Sequence, residues 1–143
     1  MQLRVATEDD LERIYEVEAF VLLHPGANER FLRSLADNSV FLAVDGERIS
    51  GMMAVEYGFY GHAFVAFLAV DPYERRRGIA SALLRHAETL ARKGKVFAST
   101  TASNDAMIGV FAKCGWQKCG SLTAINDDGE EELIFVRTAA TCP

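Results

Sequence analysis

The segment 64–93, FVAFLAVDPYERRRGIASALLRHAETLARK, constrains the fold more than any other part of the chain. Its first seven residues are apolar and typical of a buried strand, which Asp71-Pro72 ends. Three arginines and Gly78 follow, and an amphipathic pattern then predicts a helix over residues 77–92. A strand, a basic glycine-containing turn and a helix N-terminus in succession predict an anion site, because the first N–H groups of a helix have no partner within it.

The remaining residues predict further strands and helices on both sides of this segment. We predict strands at residues 3–6, 40–44, 48–59, 62–70, 95–100, 116–124 and 131–137, and helices at residues 8–22, 29–36, 77–92 and 104–113. The order β-α-α-β-β-β-α-β-α-β-β predicts an α/β (α+β) fold with a mixed, mostly antiparallel central sheet flanked by helices. The strand after the long helix should run parallel to residues 64–70, because a helical crossover joins the two. We expect one domain over residues 1–138 and a disordered tail at 139–143.

Charge and composition narrow the possible partners. The 143 residues carry a net charge of −5, which argues against a general nucleic-acid surface and makes the run Arg75–Arg77 more informative. The alternative for that run is a solvated helix entrance. The three cysteines are odd in number and lack metal-ligand spacing, so we expect free thiols and no metal site. No apolar run is long enough to span a bilayer, and we expect a cytoplasmic protein without a membrane partner.

Two motifs carry a family resemblance. Arg75-x-x-Gly78-x-Ala80 follows an apolar strand and opens an amphipathic helix, and Asn104 opens a second helix that ends in Gly115-Trp116. Both motifs resemble the GCN5-related N-acetyltransferase (GNAT) family, whose acyl-CoA motif reads Arg/Gln-x-x-Gly-x-Gly/Ala at the same place in the order of elements. The resemblance covers nearly the whole chain. It implies the GNAT fold and acetyl-CoA, CoA or another acyl-CoA as the cofactor.

The resemblance also implies which residues hold the cofactor. Gly78 would allow close approach of the pyrophosphate to the backbone, and the arginines would attract its charge. Backbone groups at the end of the apolar strand would bond the pantetheine amides as an added strand does, and Asn104 would face the pantetheine or serve as a plain helix cap. The implied cofactor-binding residues are Leu68, Ala69, Val70, Arg75, Arg76, Arg77, Gly78, Ile79, Ala80, Ser81, Asn104 and Phe111.

The reaction needs a proton donor for the leaving thiolate and a base for the amine. The family often places a tyrosine on the last helix to protonate the leaving thiolate, and here that position is Phe111, which has no proton to give. Three alternatives follow. The thiolate leaves as the anion, it takes a proton from water or from a residue such as Tyr73, or the chain does not catalyse transfer. As the base that deprotonates the amine we predict Glu56, on the strand 48–59. The alternative is that Glu56 only faces solvent.

We expect the acceptor to be a primary amine of unidentified structure. The residues predicted to line its site are Phe20, His24, Phe31, Tyr57 and His62. Acidic residues of the last hairpin, 127–132, would suit a cationic amine, and they would equally suit a solvated turn.

The leading hypothesis is an acetyl-CoA-dependent N-acetyltransferase that moves an acetyl group to a primary amine of a small molecule or protein by direct attack in a ternary complex. The alternative is a sensor or interaction module that binds acyl-CoA and has lost catalysis, which Phe111 keeps open. A nucleotide-binding domain is disfavoured because neither GxGxxG nor GxxxxGK[ST] occurs. Many members of the family dimerise, so a homodimer is compatible with the resemblance.

Overall fold

Seven strands and five helices make up the part of the chain that the computed structural model describes, residues 1–138 apart from the side chains of Phe20 and Leu22. The strands are β1 (Gln2–Val5), β2 (Val40–Asp45), β3 (Arg48–Phe59), β4 (His62–Val70), β5 (Lys95–Thr101), β6 (Gln117–Leu122) and β7 (Glu132–Thr138). The helices are α1 (Leu11–Val17), α2 (Ala19–Leu23), α3 (Pro25–Ala36), α4 (Ile79–Glu88) and α5 (Asp105–Lys113). The strand order in the sheet is β1-β2-β3-β4-β5-β7-β6. The mixed, mostly antiparallel sheet with helices confirms the predicted fold class.

The chain divides into two compact units. The first comprises Met1–Glu56 and Ala66–Leu83, and the second comprises Tyr57–Val65 and the chain from Leu84 onward. None of the helices in the described part of the chain is long and apolar enough to cross a membrane. Cys114 and Cys119 are free thiols, as predicted. Cys142 and the predicted disordered tail lie outside the described residues.

The core of the first unit lies between the first three helices and one face of the strands. Antiparallel pairing of β1 with β2 and of β2 with β3 aligns the apolar residues of these strands. Full burial of a side chain of this size contributes about 1.5–3 kcal/mol to the free energy of folding. The buried cluster is Ala6, Ile14, Val21, Phe31, Leu35, Val40, Leu42, Val44, Ile49, Met52 and Ala54.

The second unit is built on β5, which pairs with β4 on one side and with β7 on the other. The register of β4 with β5 is parallel and runs from Ala63↔Val96 to Val65↔Ala98, which confirms the predicted crossover. Strand β7 then inserts between β5 and β6, antiparallel to both. The rings of Phe111 and Phe135 stack at 4.4 Å between centroids, so helix α5 is fixed to the sheet by aromatic packing.

The first helical region differs from the prediction. Instead of one helix over residues 8–22, a 3₁₀ turn (Glu8–Asp10) leads into α1, and extended backbone at Glu18 (φ −139°, ψ 91°) separates α1 from α2. The second predicted helix, 29–36, begins earlier than expected, because α3 starts at Pro25. Proline has no N–H to lose at the first helical position and its fixed φ suits a helix start, so only His24 lies between α2 and α3.

Helix α4 is shorter than the predicted 77–92. After Glu88 the chain tightens: Thr89 N–H donates to His86 O (3.0 Å) and Leu90 N–H to Ala87 O (2.9 Å). These are bonds to the third preceding residue, which close the last turn of a helix. Lys95 N–H then donates to Arg92 O (3.1 Å), so residues 93–94 form the turn before β5. The predicted bounds of β3 agree with the structure at both ends.

Candidate functional site

The turn between β4 and α4 has the backbone geometry of an anion site. Arg76 (φ 67°) and Gly78 (φ 75°) are both left-handed, and alternation of this kind turns successive N–H groups towards one concave side. The helical ladder begins with Ala82 N–H donating to Gly78 O (3.0 Å), so the N–H groups of residues 79–81 precede it. A Cβ added at Gly78 would meet no atom within 4 Å. The turn is therefore open where a pyrophosphate would lie.

Local contacts encoded by Asp71-Pro72 hold the start of this turn. Asp71 Oδ1 accepts from Tyr73 N–H (2.9 Å), and Asp71 O accepts from Glu74 N–H (2.8 Å). Asp71 N–H donates to Ser50 O on β3 (2.8 Å). Proline at the first position of the 3₁₀ turn Pro72–Glu74 fixes φ without losing a bond. The end of β4 is thus anchored to β3, and the arginine turn starts from a fixed point. Tyr73, the predicted substitute acid, is 90% exposed.

The three arginines of the turn are exposed but differ in their partners. Arg77 Nη1 pairs with Glu74 and lies 3.7 Å from Asp45 Oδ2, and these contacts raise the pKa of Arg77, with the Glu74 hydrogen bond the largest cause. Glu74 is only 4% exposed and also pairs with Arg48. A buried carboxylate with two guanidinium partners is a satisfied charge. No partner within residues 1–138 holds Arg75 or Arg76, so these two remain available to phosphate oxygens.

The residues flanking Gly78 present their backbone more than their side chains. Ile79 and Ser81 are buried, and Ala80 is half-buried. The contribution predicted for Ile79 and Ser81 therefore falls on their N–H groups. The small side chain of Ala80 keeps the approach to the first helical turn free of bulk.

Strand β4 changes character halfway along its length. Burial alternates from His62 to Val65, whereas residues 66–70 are all half-buried. The parallel register with β5 ends at Val65, so Leu68, Ala69 and Val70 lie beyond it. A strand segment of this kind can offer N–H and C=O groups to an extended amide-bearing ligand.

The second motif contains one exposed polar group and one core residue. Asn104 Oδ1 accepts from Met107 N–H (3.1 Å), which confirms the helix cap, and its amide NH₂ has no partner in the described part of the chain. Phe111 is 1% exposed. Its ring stacks on Phe135 and also packs against Trp116, with 5.5 Å between the Phe111 and Trp116 ring centroids. The Phe111 ring belongs to the core of the second unit, and a cofactor contact there stays a prediction.

Glu56, the predicted base, forms a two-pronged ion pair that the sequence pattern does not reveal. Both carboxylate oxygens of Glu56 accept from Arg30 of α3, Oε2 from Nε (2.9 Å) and Oε1 from Nη2 (2.8 Å). The guanidinium also lies over the Phe67 ring, with Cζ 5.5 Å from its centroid. Glu56 raises the pKa of Arg30, mainly through the hydrogen bond and also through the charge of its carboxylate. Glu56 is therefore held in place, and its side chain is 28% exposed.

The residues predicted to line the acceptor site are not all at the surface. Phe31 is fully buried, with its ring edge-to-face on Phe67 (6.2 Å), so this apolar ring serves the core of the first unit, and a substrate contact there stays a prediction. His24 is exposed and occupies the N-cap position of α3, where its side chain makes no capping hydrogen bond. The side chain of Phe20 lies outside the described residues.

Tyr57 and His62 are brought together by Arg92 in the second unit. The Arg92 guanidinium lies 4.1 Å from the Tyr57 ring centroid. The backbone carbonyl oxygen of Arg92 is 3.2 Å from His62 Nδ1. The His62 ring also packs 5.2 Å from Phe97. Both side chains are half-buried and already have protein partners, so neither is poised as a free base.

A separate cleft of about 370 Å³ lies in the first unit beside the β2–β3 turn. Its lining is mostly charged and contains none of the predicted site residues: Glu12, Arg13, Glu16, Val17, Glu47, Arg48, Ile49 and Asp71. Within residues 1–138, no group of three or more His, Cys, Asp and Glu side chains could hold a metal ion.

Comparison with known proteins agrees with these features. Residues 6–116 match the sequence profile of the Acetyltransferase (GNAT) family. An acetyltransferase of Pectobacterium atrosepticum is 31% identical over 132 residues, which cover 86% of this chain and 92% of that protein. The crystal structure of a GNAT-family acetyltransferase from Bacillus cereus superposes with a TM-score of 0.85 at 27% identity, over 98% of each chain. Naa20 from Chaetomium thermophilum, crystallised with a bisubstrate analogue, shares the fold (TM-score 0.77, 16% identity, 97% of this chain and 87% of Naa20).

Proposed function

From the premise that this chain belongs to the GNAT family of N-acetyltransferases, we propose that it moves the acetyl group of acetyl-CoA to the primary amine of a small molecule or protein, by direct attack in a ternary complex. The observation that carries the proposal is the open turn at Gly78. There, left-handed backbone, unpaired N–H groups at residues 79–81 and two unpartnered arginines coincide.

The residues present fit acetyl-CoA. In this proposal the N–H groups of residues 79–81 and the side chains of Arg75 and Arg76 hold the pyrophosphate, because a helix N-terminus and guanidinium groups both favour phosphate. The backbone of residues 68–70 bonds the pantetheine amides. When bound there, acetyl-CoA supplies a thioester carbonyl to the acceptor amine. A backbone N–H near the end of β4 stabilises the negative charge that develops on that oxygen.

The acceptor must lose a proton before it attacks. A primary ammonium has a pKa of about 10.4, so at neutral pH very little of it is the free amine. Glu56 takes this proton, directly or through one water molecule, and Arg30 fixes the carboxylate for the task. No tyrosine stands at position 111, so the thiolate leaves as the anion or takes its proton from water.

The pKa of Cys119 and the burial of Cys114 favour direct attack over a route through an acylated cysteine. Although Cys119 is exposed, partial desolvation of its sulfur is the larger influence and raises its pKa, which lowers the thiolate fraction at neutral pH. Cys114 is half-buried at the end of α5. A thiol with a raised pKa offers less of the nucleophilic thiolate, so Cys119 does not favour an acyl-enzyme.

Thiol release from acetyl-CoA with a panel of amines tests the proposal, with a thermal shift by CoA measured beside it. Turnover on any primary amine, together with stabilisation by CoA, is the expected result. The second candidate is an acyl-CoA sensor, which Phe111 favours because its buried ring replaces a proton donor. Stabilisation by CoA without turnover on any amine would establish the sensor, and no stabilisation would exclude both functions.

A further inference from the structure

The ion pair of Arg30 and Glu56 combines features that a purely structural surface pair does not need. It is two-pronged, it spans from α3 to β3, and its guanidinium rests on the ring of Phe67. Both side chains remain reachable from solvent, with 48% of Arg30 and 28% of Glu56 exposed. Phe67 precedes Leu68 on β4, so the pair adjoins the strand segment assigned above to pantetheine.

The pair presents opposite charges side by side. Arg30 uses two of its five N–H donors on Glu56, and the described part of the chain gives the others no partner. Glu56 accepts one bond at each oxygen, although each carboxylate oxygen has two lone pairs. Both members can therefore bind a further group of opposite charge without breaking their own contact.

Resting on the proposed function, we propose that the acceptor is a zwitterion, a small molecule with an ammonium and a carboxylate a few bonds apart, of which free amino acids are the simplest class. Glu56 takes the ammonium, and the unused edge of Arg30 takes the carboxylate. The apolar ring of Phe67 lies beneath the hydrocarbon between them.

Competing cationic acceptors fit this arrangement less well. A polyamine or an exposed lysine side chain would gain from Glu56 but would place its ammonium beside the Arg30 guanidinium, where like charges repel. An amine without any carboxylate would leave the free N–H groups of Arg30 facing no acceptor when water is displaced. A zwitterion pairs with both Arg30 and Glu56, so it should bind more tightly than an amine without a carboxylate.

Helix α3 provides a matched control in Arg33. It pairs with Glu29 (3.2 Å) on the same helix, and both side chains are largely exposed, so this pair has neither the second prong nor the aromatic support. Arg30→Gln and Arg33→Gln remove the same charge from the same helix. Only the first should affect acceptor choice.

The experiment measures kcat/KM by thiol release for a set of L-amino acids and their carboxamides. The unsubstituted protein and Arg33→Gln should prefer the free acids by about 10- to 100-fold, the usual effect of a charge-assisted hydrogen bond. Arg30→Gln should lose this preference, mainly through KM of the acids. Arg30→Lys keeps the charge and should retain part of it, which covers a failure of Arg30→Gln to fold. Equal use of acids and carboxamides by the unsubstituted protein would overturn the inference.

Calorimetry separates this inference from the proposed function. The same acids and carboxamides are titrated into the protein saturated with CoA. If no acceptor releases thiol, the transferase proposal fails, while binding of the acids that requires Arg30 still supports a zwitterion site. If acids and carboxamides bind equally, or neither binds, the zwitterion site is refuted whatever the turnover.

Discussion

Gly51 of β3 lies directly beneath Ile79, the first residue of α4. A Cβ added at Gly51 would come within 2.8 Å of Ile79 Cγ2 and 3.1 Å of the Ala69 carbonyl oxygen. Only a glycine lets helix and strand approach this closely, and this approach fixes the helix N-terminus next to the Gly78 turn. A packing contact in the core of the first unit therefore positions the proposed pyrophosphate site.

Gly51→Ala should destabilise the fold by about 1–3 kcal/mol, because the extra methyl group must push Ile79 or the β4 backbone aside. We expect a lower midpoint in chemical unfolding and weaker CoA binding by calorimetry. Gly58→Ala in the same strand is the control, since an added Cβ there meets nothing within 4 Å. Equal stability of the two variants would mean that α4 yields without strain.

Gly78→Ala should weaken CoA binding, and Gly78→Glu should abolish it. Alanine at a φ of 75° costs about 1–2 kcal/mol, and its methyl group projects into the open space of the turn. Glutamate adds bulk and a negative charge against the pyrophosphate. Calorimetric titration with CoA measures both effects.

Gly129→Ala separates strain from binding in that experiment. Gly129 has a φ of 80° and an equally open Cβ position, but it lies in the β6–β7 loop. Its substitution should cost similar stability and leave CoA affinity unchanged. An unchanged affinity in Gly78→Glu would show that the pyrophosphate is bound elsewhere.

The sequence predicts those parts of the site whose contacts are local. Asp71, Gly78 and Ala80 act within a few residues of one another, so a short motif contains the whole turn. Arg30 and Glu56 are 26 residues apart, and their pairing depends on how α3 lies against β3. No pattern around either residue signals the partner. The start of α3 was mispredicted for a different reason: His24-Pro25-Gly26 is compatible with a loop or with a helix that begins at proline, and packing decides between them.

Acid should remove a stabilising contact at Asp10. Its carboxylate accepts from Arg4 (2.8 and 2.9 Å) and from Thr7 N–H (2.8 Å), and the Arg4 hydrogen bond is the largest cause that lowers the pKa of Asp10 to about 2. Because the folded-state pKa is below the unfolded value of 3.8, the stabilisation is complete above about pH 4 and is lost as the pH falls to 2. This stabilisation amounts to about 1–2 kcal/mol, because Arg4 is partly exposed and solvent screens its charge.

Asp10→Asn should therefore lower the unfolding free energy at pH 7 and reduce its decline between pH 4 and 2. Urea unfolding at several pH values measures both. Asp9→Asn is the control, because Asp9 lies in the same 3₁₀ turn with its side chain exposed. An acid dependence in Asp10→Asn as steep as in the unsubstituted protein would assign the effect to other carboxylates.

Glu56→Gln should lower kcat at pH 7 by about 10²–10⁴-fold, the usual contribution of a positioned general base. Glutamine keeps one of the two acceptor oxygens that Arg30 uses, and the pair is partly exposed, so thermal stability should fall only slightly and CoA affinity should change little. The difference in kcat should shrink as the pH approaches the pKa of the acceptor ammonium, about 10, because the acceptor then binds as the free amine. Thiol release followed from pH 7 to 10 measures this convergence.

Glu29→Gln is the matched control for that series, since it removes a carboxylate paired with Arg33 on α3. It should follow the unsubstituted protein at every pH. A Glu56→Gln variant with full activity at pH 7 would remove Glu56 as the base. A deficit that stays constant up to pH 10 would instead indicate that Glu56 binds the acceptor without taking its proton.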